Sequence, residues 1–125
     1  MIDHDHVVFD DSAMVAAGRG SPIASRLIDR AHARQEVSLY ATTCALVEAE
    51  RTRPGTAQHV ASLPAFNLLD LDLPAALAVA RDATWAFPHT RHAAAPTPDR
   101  PDGALIATAD PGRWSDEPVR VIDVR

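Results

Sequence analysis

Short apolar runs alternate along the chain with longer stretches whose apolar residues return every three or four positions. This alternation predicts strands and helices taking turns from one end to the other. Val7-Val8-Phe9 reads as a buried strand that runs into Asp10-Asp11-Ser12. Ser12 is expected to cap a helical segment from Ala13 to Ala17, stopped by Gly18 and Gly20. Ser21-Pro22 has the form of an N-cap followed by proline at the first helical position. The helix it opens should reach about Arg34, with Ile23, Leu27, Ile28 and Ala31 on one face. Val37 to Tyr40 is the second strand, and Thr42 or Thr43 caps a helix through Ala45, Leu46, Val47 and Ala49 that Pro54-Gly55 stops.

A further helix is expected over Thr56 to Ser62, and Phe66 to Leu71 reads as a third strand between Pro64 and Pro74. Ala75 to Trp85 is strongly helical in pattern and should carry Trp85 into the core; a short helix follows around Thr90 to Ala95. Pro96, Pro98 and Pro101 make a stiff loop. Ala104 to Thr108 is the fourth strand, ending at Ala109-Asp110-Pro111, and Val119 to Val124 is the fifth. Strands that alternate with helices imply an α/β domain of three layers, α/β/α, around a mostly parallel sheet of about five strands. The 125 residues suit one domain, 1–125, and are too few for two ordinary cores.

Composition narrows the classes. No apolar run approaches the roughly 18–20 residues of a membrane span, so no membrane partner is expected. The opening MIDHDH carries acids where a secretory signal carries positive charge, and the single cysteine, Cys44, fits a reducing cytoplasm. One cysteine also excludes a thiolate metal cluster, and without triad-like partners it is not expected to be a nucleophile. The net charge of −5 argues against a protein that coats nucleic acid with a broad basic surface, but leaves room for a local basic rim.

Chemistry concentrates at strand ends. In open parallel sheets, sites form beyond the carboxyl ends of the strands where strand order reverses. Asp10 follows the first strand, Asp110 follows the fourth, and Glu48 lies early in the helix after the second. Three carboxylates converging there would need a cation, and an all-oxygen donor set suits Mg²⁺ or Mn²⁺. Such a metal can activate water for phosphodiester cleavage.

The segment VVFDDSAMVA resembles the first strand and turn of the PIN-domain (VapC-like) ribonuclease family, CALVEAERTR is similar to its second motif, and ALIATADPGRW to its late strand and turn. The resemblance spans nearly the whole chain. It implies a PIN-like fold with Asp10, Glu48 and Asp110 as catalytic metal ligands, Ser12 and Thr108 as supporting residues, and Mg²⁺ or Mn²⁺ as the metal. It further implies an endoribonuclease acting on RNA, in the toxin half of a toxin–antitoxin pair, with an antitoxin protein and a second copy of the chain as partners. The chain departs from the family at the third acid: PHTRHAAAP holds no carboxylate, and His89 or His92 stands in that neighbourhood. Either histidine could ligate Mn²⁺ or move a proton, or mark a site that no longer cuts. Asp102 is a further stand-in for the missing acid. The alternative function is a catalytically degenerate PIN-like domain that binds RNA or a partner protein.

Other residues invite attention. Arg51 and Arg53 are candidate RNA contacts, and Arg91 and Arg100 lesser ones; Arg51 could instead pair with Glu48 or Glu50. Trp114 is expected to pack over the sheet end or to stack on a base. His4 and His6, with Asp3 and Asp5, resemble a metal-binding tract, or a polar chain start.

Overall fold

The computed structural model describes residues 4–33 and 36–125. Five strands, β1 (Asp5–Phe9), β2 (Val37–Thr42), β3 (Phe66–Leu69), β4 (Leu105–Thr108) and β5 (Val121–Asp123), form one sheet in the order β3-β2-β1-β4-β5. Every neighbouring pair is parallel. Among the described residues six helices flank it: α1 (Asp11–Gly18), α2 (Pro22–His32), α3 (Thr43–Thr52), α4 (Thr56–Ser62), α5 (Leu73–Ala80) and α6 (Ala86–Ala94). The expected α/β three-layer architecture is therefore present, with a fully parallel sheet.

A central parallel strand is covered on both faces and must be apolar at consecutive positions. β1 meets this demand with side chains that alternate between two clusters. Val7 and Phe9 join α1 to α4 on one side, where Phe9 meets Phe66 edge-on at 5.0 Å. Val8 faces the other side, with Ile106, Ala93, Ala94 and Trp114. The edges are weaker, as edges are: β3 exposes Asn67 and Leu68, and ends at Leu69 rather than Leu71.

Several boundaries moved for local reasons. The first helix is capped by Asp10, not Ser12: the Asp10 carboxylate accepts from the Ala13 N–H, and Ser12 donates to that carboxylate. Ser21 and Thr42 cap α2 and α3 as their patterns predict. α2 ends at His32, and Arg34 lies outside the described residues. Its buried face is built on Ala24 and Leu27, while Ile23 is exposed. The expected long helix to Trp85 stops at Ala80. A turn through Asp82 and Thr84 then leads into α6, so Trp85 sits at a helix start and is 64% exposed, not in the core. α4 opens after Gly55, whose φ of 95° suits glycine, and the Glu50 carboxylate accepts from the Gly55 and Ala57 N–H groups. At the entrance to β4, Gly103 (φ 72°) passes so close to the end of α6 that a Cβ would lie 2.5 Å from the Ala94 carbonyl oxygen. That contact fixes where β4 begins. No helix among the described residues is long and apolar enough to cross a membrane.

Candidate functional site

Because the chain runs β1-β2-β3 to one side and then returns to β4 and β5 on the other, strand order reverses between β1 and β4. The carboxyl ends of these two strands open on a common crevice. Asp10 follows β1 and Asp110 follows β4. Asp10 is 1% exposed, and both its oxygens are occupied. Oδ1 accepts from Ser12 Oγ (2.7 Å) and the Ala13 N–H (2.8 Å); Oδ2 accepts from Trp114 Nε1 (3.0 Å) and lies 3.6 Å from Arg113 Nη1.

Arg113 is the centre of the arrangement. It lies in a single 3₁₀ turn, Pro111–Trp114, that starts immediately after Asp110. Its Nη1 donates to Asp11 Oδ1 at 2.8 Å, and its Nε stands 3.6 Å from Asp110 Oδ2. One guanidinium thus stands within 3.6 Å of three carboxylates and offsets part of their charge. Burial lowers the pKa of Arg113, but Asp11, Asp10 and Asp110 outweigh it and hold the group above its ordinary value. Burial raises the pKa of Asp11; the charge of Arg113 opposes this, and Asp10 adds to it.

Ser12 and Thr108 complete the frame. Their hydroxyls meet at 3.2 Å, Ser12 Oγ accepts from the Ala109 N–H, and Thr108 Oγ1 accepts from the Asp110 N–H. These bonds tie the turn after β1 to the turn after β4. Trp114 covers the crevice floor, stacked on Phe87 at 4.3 Å.

The other expected residues lie elsewhere. Glu48 is exposed on α3 and lines a separate depression with Cys44, Val47, Arg51, Thr84, Trp85 and Ala86. Among the described residues, no ion pair joins Arg51 to Glu48 or Glu50. His89 is 1% exposed, and its Nδ1 accepts from the Cys44 N–H at 3.4 Å, in the first turn of α3. Burial, then the nearby His92, lowers its pKa, so its ring serves as a neutral acceptor at the helix start. Arg53 lines another hollow with Gly18 and His59, and its Nη1 is buried without a hydrogen-bond partner. Arg91 pairs with Asp82 and Glu117, and Arg100 lies over the Tyr40 ring. Asp102 sits in the turn before β4, at the opposite end of that strand from the crevice, and does not stand in for a third acid there.

The donor set can be weighed against the expected Mg²⁺ or Mn²⁺. Such an ion needs several free oxygen ligands. Here both Asp10 oxygens are engaged, and a guanidinium occupies the space between the acids. Among the described residues, no three His, Cys, Asp or Glu side chains gather to hold a metal ion. The residues as arranged do not fit a resident metal. Arg113 and Asp11 were not singled out by the sequence; the available signal was Asp110 and Arg113 three apart on a turn opened by Pro111.

Beside the crevice lies a trough lined by Arg19, Arg113 and Arg125, with Ser12, Ser21 and Asp11 and the apolar Val15, Ala16 and Val124; Arg125 pairs with Asp123 at 2.6 Å. Fold and crevice together define an open, doubly wound α/β domain with its polar site at the topological switch point. No protein-family model matches the chain, and no curated protein matches it.

Proposed function

We propose that the chain is a PIN-like domain that binds single-stranded RNA along the trough beside the β1–β4 crevice without cutting it. One observation carries this reading: the Arg113 guanidinium holds Asp10, Asp11 and Asp110 together and forms one wall of a trough with Arg19 and Arg125. Phosphate affinity comes mainly from local cations, and in a chain of net charge −5 it depends on where they cluster. Carboxylates already hold Arg113, and Asp123 holds Arg125, so Arg19, which makes no ion pair among the described residues, supplies most of the attraction.

Binding of a labelled single-stranded RNA should weaken with salt, with a log–log slope of about −0.7 per phosphate neutralised. Arg19→Ala and Arg113→Ala should each reduce that slope by about 0.7. Salt-independent binding, or slopes that neither change alters, would rule the trough out. A second reading is the metal-dependent endoribonuclease of a toxin–antitoxin pair, with an antitoxin as partner. The position of Asp10 and Asp110 at the switch point, braced by Ser12 and Thr108, favours it, while the engaged Asp10 oxygens weigh against it. RNA cleavage in Mn²⁺ that Asp10→Asn abolishes would replace the first reading with this one.

A further inference from the structure

At the other end of β1, a second group of side chains stands apart from the crevice. We propose that His4 and His6 form a two-histidine site for a borderline transition-metal dication, of the Zn²⁺ or Ni²⁺ kind, completed by water.

His4 directly precedes β1 and His6 is its second residue, and side chains two apart along extended chain leave on the same side. Their ring centroids are 5.0 Å apart with the planes tilted by 54°. Two imidazoles sharing one tetrahedral metal, with bonds of about 2.0–2.1 Å, place their centroids about 5 Å apart. The centroid separation of the pair matches that of a chelating pair.

Each ring is also held by one nitrogen, leaving the other for a ligand. His4 Nε2 lies 2.6 Å from Ser38 Oγ, and His6 Nδ1 lies 2.8 Å from Tyr40 Oη. Both partners come from β2, whose register sets His6 beside Ser38 and Val8 beside Tyr40. Metal-bound histidines commonly give their second nitrogen to such an outer partner, which fixes tautomer and ring orientation. The free nitrogens are then His4 Nδ1 and His6 Nε2.

The surroundings carry both signs of charge: burial, then His4 and Arg100, lower the pKa of His6 against the opposing Asp5. The same depression holds three carboxylates, Asp5, Asp99 and Asp102, against two guanidinium groups, Arg100 and Arg120. Arg100 is drawn toward Tyr40, its Cζ 4.9 Å from the ring centroid. Imidazole nitrogen selects metals of the zinc, nickel and copper type over Mg²⁺, so this chemistry differs from that of the acidic crevice. Among the described residues no group of three His, Cys, Asp or Glu forms a site, so a metal held by this pair would complete its shell with water.

Titration calorimetry of the full chain with zinc chloride tests the site. One Zn²⁺ should bind per chain, and His4→Gln, an exposed position, should weaken it by at least about 10-fold. His6→Gln should do the same, and Tyr40→Phe should weaken binding less than either. Glu48→Gln, an exposed change on α3, should leave it unchanged. Absence of binding at millimolar zinc overturns the proposal. So does binding that His4→Gln leaves intact, or binding that Glu48→Gln removes.

Discussion

The two ends of β1 solve opposite problems with similar residue types. At the carboxyl end, Asp10 is buried and every polar atom near it is spoken for by Ser12, Ala13, Arg113 and Trp114. At the amino end, His4 and His6 are nearer solvent, and each ring has a nitrogen to spare. The first is a closed network, in which removing a member strands a charge; the second is open, in which removing a member costs little. Burial makes the difference, because an unpaired polar group is expensive only where water cannot reach it.

That contrast can be broken by substitution. Trp114→Ala should be the most damaging: it empties a fully buried aromatic site and withdraws a donor from Asp10. A loss of about 3–5 kcal/mol is expected in urea unfolding; a loss under 1 kcal/mol (~) would mean the floor of the crevice collapses without penalty. Arg113→Ala should cost about 1–3 kcal/mol, since Asp10 and Asp11 lose their shared cation. Arg113→Lys should recover only part of this, because an ammonium cannot reproduce the planar fork.

His89 gives a pH test. Burial lowers its pKa from the ordinary 6.5, so the unfolded chain takes up the proton first. Its contribution is complete above 6.5 and is lost as the pH falls through the folded-state value. His89→Gln should therefore flatten the stability profile below 6.5, measured by thermal melts across pH. An unchanged profile would remove His89 from that role. At the open end, Tyr40→Phe should change stability by less than about 1 kcal/mol. A larger loss would show that the amino end is as tightly coupled as the crevice.

The fold was readable because its strands are short apolar runs bounded by Pro, Gly and acids, and a doubly covered sheet leaves that mark on sequence. Trp85 was misplaced for an instructive reason. Helical propensity in the alanine-rich stretch continues smoothly to it, yet the chain turns at Arg81 to Thr84, where Asp82 Oδ1 accepts from the Thr84 backbone. Ser12 was misassigned as a cap because the residue two before it, Asp10, does the capping and uses Ser12 as a donor. In the site, Asp10 and Asp110 were legible from strand ends alone. Arg113 was not, because its role depends on β1 and β4 being neighbours, which no local pattern states. Glu48 looked equivalent to them on spacing, but helix phase points residues outward as readily as inward.

The chain has two tryptophans, and the fold assigns them to different media. Trp114 is 2% exposed, stacked on Phe87 and bonded to a carboxylate, whereas Trp85 is 64% exposed beside Glu48. Their emission should accordingly resolve into a blue component that iodide cannot quench and a red one that it can. The first reports on the floor of the crevice and the second on the α3 face. Occupancy of either region becomes visible without attaching a dye.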